Sequence, residues 1–237
     1  MKRILLAIRG FFKKIYLTIF VENRYIKKRV EKYHEYMKSR IEFEKTPTII
    51  CTNCVGGLIY HNLGLQFMSP TINLTIKNAD FIKFITNFDH YLNLELVPEP
   101  ATYNEGCPVG RIDDIRIIFN HYKTFAEAKE KWDERKKRID FDNLYIMMPL
   151  GPFGTRELEI IKNIKCKRKI VFSPREIKEY DFVFPILKDK GKQYVGSLTH
   201  IGNDGFRVYE KEFDYVAWLN GEENYRTKYF KKYGSKQ

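Results

Sequence analysis

The chain is short of several things on which specialised proteins depend. Four cysteines among 237 residues are too few for a dense disulfide framework. Cys51 and Cys54 also stand too close together for a usual structural bridge, so the expected setting is reducing and cytoplasmic. With 14 glycines and 9 prolines, collagen-like or low-complexity character is excluded. The apolar N-terminal stretch is interrupted by Arg9, Lys13 and Lys14. It therefore lacks both the roughly 20 uncharged residues of a spanning helix and the unbroken core and small-residue cleavage site of a secretory signal. There is no Walker loop, no three-glycine dinucleotide spacing, no second Cys-x-x-Cys and no His-x-x-x-His. Helix-turn-helix, RNP and zinc-finger spacings are missing as well, which leaves nucleic-acid binding through the basic, tyrosine-bearing N-terminus as the weakest of the function classes.

What is present is a foldable chain with an uneven charge. Apolar residues make up 43% and aromatics 15%, enough for one well-buried domain and too many for a disordered protein. The net charge is +12, which favours anionic partners, here an anionic small molecule or a glycan substrate. Residues 1–45 hold 13 Lys/Arg against 5 Asp/Glu, so most of the excess sits at the N-terminus. On a helical wheel Ile4, Ile8, Phe11, Phe12, Ile15 and Ile19 share one face, opposite Arg3, Arg9, Lys13 and Lys14. Such a face either lies in an anionic membrane surface, giving a protein peripheral on the inner face of the cell membrane, or packs on the domain. Residues 22–45 continue in helical style, and residues 1–46 read as a basic amphipathic helical extension.

From Pro47 the pattern changes, and residues 47–237 read as a single α/β domain. The fold expected is a layered mixed or mostly parallel sheet with flanking helices. Thr48–Cys51, Ile72–Ile76, Leu92–Val97, Ile115–Phe119, Leu144–Met148, Lys169–Phe172, Phe182–Ile186 and Tyr194–Leu198 have strand character. Helices are expected from Leu58 to the turn at Gly64, over 79–88 behind an Asn78 cap, from a Thr124/Glu127 capping box to about Arg138, and over 157–163.

Three stretches carry candidate chemistry. Cys51-Thr-Asn53-Cys54-Val-Gly56-Gly57 lies where a strand hands over to a helix, the usual ligand position in α/β sheets. Its glycines permit positive φ and close backbone approach, and helix N-terminal amides suit an anion. Cys51 reads as a small apolar core residue, while Cys54 is either a nucleophile with a stabilised thiolate or a turn residue. Zinc at Cys51 and Cys54 would need two more ligands, and only His61 and His121 are at hand. In the second stretch His121 directly follows a strand, where an imidazole serves as a general base, a phosphate donor or a hydrogen-bonded structural group. Asp113 or Asp114 would orient it or hold a metal, though only one of two adjacent residues can do so. In the third, Trp132 and Arg135 share a helical face with Arg138 a turn beyond, fit to hold a phosphate or to buttress loop ends. No cofactor is indicated.

Taken together, NCVGGLIYHNLGLQFMSPTINLTI and CPVGRIDDIRIIFNHYKTFAEAKEKWDERKKRIDFDNLYI resemble the bacterial family catalogued as domain of unknown function 1919, whose members are often labelled exopolysaccharide biosynthesis proteins. The resemblance spans roughly residues 45–200 and joins separated motifs in order. Matching positions are Asn53, Cys54, Gly56, Gly57, Tyr60, Pro70, Pro108, Gly110, His121, Tyr122, Trp132, Arg135 and Arg138. Val55 stands where many relatives carry an aromatic, which removes a stacking role there. The resemblance implies a process, cell-surface polysaccharide assembly. With the residues, it leads to the expectation of a glycosyl- or acyl-type transferase in which His121 and Cys54 are catalytic. Asn53, Gly56, Gly57, Tyr60, Tyr122, Arg135 and Arg138 would bind the ligand. The alternative is a non-catalytic assembly protein that binds a glycan or lipid-linked intermediate.

Overall fold

The computed structural model describes residues 24–100, 106–152 and 154–230. The amphipathic face over 1–21 and the end of the basic tail lie outside the described residues. Among the described residues, the strands are β1 (Thr48–Cys51), β2 (Thr75–Ile76), β3 (Val97–Glu99), β4 (Val109–Ile112), β5 (Ile115–Ile118), β6 (Leu144–Pro149), β7 (Arg168–Ser173) and β8 (Val183–Pro185). The helices are α1 (24–39), α2 (Val55–Leu63), α3 (Asn78–Thr86), α4 (Phe88–Asn93), α5 (Phe125–Lys136), α6 (Thr155–Lys162), α7 (Val208–Glu212) and α8 (Tyr215–Asn220).

The strands form two sheets. One is parallel throughout, in the order β1-β6-β7-β8; the other is antiparallel, in the order β2-β5-β4-β3. A bond from Ile76 N to Thr52 O at 2.9 Å ties the end of β1 to β2 and so links the two. The parallel strands read as apolar runs because both of their faces are covered. Ile49, Cys51, Tyr145, Met147, Ile170 and Phe172 point into a core shared with α1, α2, α7 and α8. Ile50, Ile146, Met148 and Val171, one step out of phase, point into a second core with α3, α5, α6 and the inner face of the antiparallel sheet. The period-2 alternation of a strand thus sorts one short run between two cores.

Several boundaries follow local chemistry. Gly64 at φ 67° ends α2, a left-handed position that suits glycine. Thr124 Oγ1 accepts from Glu127 N at 3.2 Å at the start of α5, as expected of that pair. Other expectations are corrected. Asn78 does not cap α3; it is the first helical residue, and its side-chain amide donates to Pro149 O at 2.8 Å. The strand expected over Leu92–Val97 is instead the end of α4 and the start of β3, because Phe88 and Tyr91 recur at helical spacing and both pack on Phe84. Only Thr75–Ile76 of the Ile72–Ile76 run is strand; Asn73 at φ 60° turns the chain before it. Tyr194–Leu198 forms no strand, since the Gly196 amide is taken by the Asp189 carboxylate rather than by a neighbouring backbone.

The packing shows no break at residue 46. Tyr33 and Met37 of α1 are fully buried, His34 Nε2 lies 2.7 Å from Glu210 Oε1, and Arg40 Nη1 lies 2.6 Å from Asp214 Oδ2. Among the described residues no helix is long and apolar enough to cross a membrane.

Candidate functional site

A cleft of about 390 Å³ opens at the carboxyl ends of β1 and β6, lined by Asn53, Cys54, Thr75, Asn120, His121, Pro149 and the loop 195–199. Ligands of open α/β sheets gather at this end of the strands, where the chain leaves the sheet and backbone groups are released from the ladder. Each wall has a local cause. Asn53 Oδ1 accepts from Val55 N at 3.0 Å, an Asx-type turn that carries β1 into α2 and fixes Cys54 at the helix N-cap. Asn120 follows β5, and its amide donates to Thr75 Oγ1 at 2.7 Å while lying 4.0 Å from Cys54 Sγ. His121, next in the chain, is exposed at the rim. The third wall hangs between two clamps. Gly196 N donates to buried Asp189 Oδ2 at 2.7 Å, and Arg207 Nη1 donates to Thr199 O at 2.6 Å.

Of the sequence candidates, Asn53, Cys54 and His121 come together here. The others do not line the cleft, and the reasons are visible. Gly56 and Gly57 are helical and buried. A Cβ on Gly56 would meet Cys51 Cβ at 3.1 Å and Ile49 Cγ2 at 3.2 Å, and one on Gly57 would meet Ile72 Cγ2 at 3.2 Å. These glycines let α2 lie close on β1 and on the loop before β2; they do not open backbone to a ligand. Tyr60 is fully buried, its hydroxyl donating to Pro47 O at 2.6 Å and accepting from Ile49 N at 2.7 Å. Arg135 reaches Tyr122 Oη at 2.7 Å and sits 4.9 Å from the Phe67 ring centroid, and Tyr122 in turn donates to Ile72 O at 3.1 Å. Arg138 donates to Phe67 O at 3.0 Å and pairs with Glu134. Both arginines therefore buttress the loop between α2 and β2, one of the two roles expected of them.

The electrostatics also revise Cys54. Burial pushes its thiol up, and the opposing pull of the Asn120 amide and the Arg207 charge does not overcome that. The first helical amide, which would have stabilised a thiolate, is already bonded to Asn53. Cys54 is thus a neutral thiol near pH 7. Cys51 is a core residue, pushed up to about 11 by burial, as its apolar neighbours foretold. Asp113 and Asp114 form the β4–β5 turn, at the far end of β5 from His121. Asp113 binds His90 at 2.7 Å, and Asp114 binds Lys83 at 2.7 Å and Tyr91 at 2.8 Å. They cannot orient His121. Among the described residues no group of three or more His, Cys, Asp or Glu is placed to hold a metal.

Sequence reasoning missed the loop 195–199 and its clamps. A signal existed: Gly196, Ser197 and Thr199 are small or polar turn formers, poorly suited to a buried strand. The comparisons agree with the motifs. The family model for domain of unknown function 1919 matches residues 23–220, a range that takes in α1 and the whole cleft. A Haemophilus influenzae protein described as uncharacterized is 32% identical over 177 residues, covering 73% of this chain and 84% of its own.

Proposed function

The chain belongs to the family of domain of unknown function 1919, and on that premise we propose that it is a sugar-handling protein of cell-surface polysaccharide biosynthesis, a glycosyl- or acyl-type transferase. The observation that carries the reading is the convergence of His121, Cys54 and Asn53 in one cleft at the carboxyl ends of the parallel strands. The amides of Asn53 and Asn120 and the hydroxyls of Thr75, Ser197 and Thr199 are neutral donors and acceptors, matched to the hydroxyls of a glycan more than to a bare dianion. In the reaction, His121 takes the proton of an acceptor hydroxyl as its oxygen bonds to the donor's anomeric or acyl carbon. The leaving group departs with the bonding electron pair. Cys54, as a thiol, shapes the wall next to Asn120.

The test is His121→Ala beside His121→Gln in the native host. Polysaccharide should be lost in both, while the purified variants keep the wild-type melting temperature within a few degrees. Normal polysaccharide with a folded variant would defeat the catalytic assignment. One observation favours the second reading, a glycan-binding assembly protein: among the described residues no carboxylate lines the cleft, so none of them there would orient an imidazole base. On that reading the His121 variants weaken glycan binding in titration and no turnover is found with any nucleotide sugar. The proposed location is the inner face of the cell membrane, reached through residues 1–21, and salt-sensitive co-sedimentation with anionic vesicles tests it.

A further inference from the structure

At the opposite, amino end of the parallel sheet a second cavity of about 320 Å³ is lined by Lys162, Lys167, Arg168, Lys169 and the single carboxylate Asp181, with aromatic side chains around them. Four cations against one acid is an unbalanced wall. Elsewhere the fold balances such crowding: on α5, Lys129 and Lys136 pair with Asp133, and Lys131 and Arg138 pair with Glu134. Among the described residues none of the four cavity cations forms an ion pair with a carboxylate.

Three of the four cations are nevertheless held in place, by neutral oxygens. Lys169 Nζ donates to Ile161 O, Lys162 O and Ile164 O at 3.0, 2.9 and 2.7 Å. Arg168 Nη1 donates to Trp218 O at 2.8 Å, and its guanidinium sits 5.3 Å from the Tyr225 ring centroid. Lys167 Nζ donates to Asn143 Oδ1 at 3.0 Å. Carbonyls at the carboxyl ends of α6 and α8 offset part of the charge on Lys169 and Arg168, but no full negative charge pairs with the group, and like charges gathered in a concavity still raise the local potential that an anion feels. A fold that keeps such a conflict at one place, having resolved it on α5, keeps it where function compensates.

We propose that this cavity is a second binding site, for the phosphoryl or pyrophosphoryl group of a phosphorylated ligand. A guanidinium supplies the forked donors that phosphate oxygens accept, and lysines supply point charges beside it. The site is separate from the cleft of His121, and its assignment does not depend on the reading given to that cleft.

The same chemistry comes from two sources, a soluble phosphorylated molecule or a lipid headgroup, and the experiment separates them. The full chain is titrated calorimetrically with inorganic pyrophosphate at about 0.15 M ionic strength, where screening acts over about 8 Å. It is also sedimented with vesicles of phosphatidylcholine with and without phosphatidylglycerol. The variant is Lys162→Gln/Lys167→Gln, and the charge-matched control is Lys178→Gln/Lys190→Gln on exposed positions. Pyrophosphate binding that falls at least tenfold in the variant and less than twofold in the control supports a soluble ligand. Phosphatidylglycerol-dependent retention that falls in the variant and not in the control, beyond what residues 1–21 supply to both, supports a lipid phosphate. Absence of both, or equal loss in variant and control, overturns the site. Should the double variant fold poorly, Lys162→Glu repeats the comparison without removing any of the bonds described here.

Discussion

Replacing Asp189 by asparagine tests whether the third wall of the cleft is held from behind. The carboxylate is 2% exposed; Oδ2 accepts from Gly196 N at 2.7 Å and Oδ1 from Lys192 Nζ at 2.6 Å. Hydrogen bonds to charged groups contribute about 1.5–3 kcal/mol each. Asparagine keeps one acceptor oxygen and turns an N–H towards the other donor, so the clamp should weaken by about 2 kcal/mol. At tenfold per 1.4 kcal/mol, a displaced wall becomes roughly 30-fold more populated. Cys54 lines the same cleft as that wall, and its alkylation by iodoacetamide, mapped by mass spectrometry, reads the displacement without any substrate. Labelling of Cys54 should accelerate severalfold or more while buried Cys51 stays protected. Equal acceleration at Cys51 would mean global unfolding, and an unchanged Cys54 rate would mean the wall stands without its clamp; either result refutes the reasoning. Acid gives the same information. Burial alone would push the Asp189 carboxyl up, but the Lys192 ammonium and the Gly196 amide outweigh it and hold it below the usual carboxylate range. Its contribution is therefore complete above the unfolded value of about 4 and is lost as pH falls through the lower folded value. Wild-type wall opening should rise in that acid window, and the asparagine variant should show no such step.

Three further substitutions address residues that the structure removes from the cleft. Tyr60→Phe strands Ile49 N and Pro47 O in the core and should cost about 1–3 kcal/mol in denaturant melts while Cys54 labelling in the folded protein is unchanged; a neutral effect on stability would reopen a ligand role. Gly56→Val forces methyl groups against Cys51 and Ile49 and should lower stability by about 1–3 kcal/mol, with any ligand titration tracking the folded fraction. Arg135→Met should loosen the loop between α2 and β2, seen as faster amide exchange at Ile72 and Asn73; exchange confined to α5 would show that the arginine does not act through Tyr122.

The parallel sheet was legible because its strands are buried on both faces, so Leu144–Met148 and Lys169–Phe172 appear as apolar runs that no half-exposed strand would tolerate. The cap of α5 and the end of α2 were legible because Thr124, Glu127 and Gly64 act within one turn of the chain. Asn53, Cys54 and His121 could be found from their places just after strands. What could not be read was which side chains face outward there. Tyr60, Arg135 and Arg138 carry polar groups of the kind that bind ligands, yet apart from Glu134 beside Arg138 their polar partners are backbone groups and a tyrosine more than one helical turn away in sequence. Tyr194–Leu198 has the residues of a strand, whereas the course of the loop 195–199 is set by the distant hold of Arg207 and the buried carboxylate of Asp189.

The pairing of Thr48 with Leu144 also governs the order in which the molecule can be made. β1 leaves the ribosome well before its hydrogen-bonded neighbour in the parallel sheet, which is not synthesised until the whole antiparallel sheet and α5 have been translated. Meanwhile Thr48–Cys51 is an apolar segment with open backbone edges, a hazard for association with other chains. The β4–β5 hairpin closes over only two residues and has no such delay. All strands of the antiparallel sheet are therefore available for pairing before β6, β7 and β8 exist. The cleft, which also waits for residues 195–199, comes into being only after all four parallel strands have been translated, so a chain stalled before then exposes a sticky strand long before it has anything to bind with.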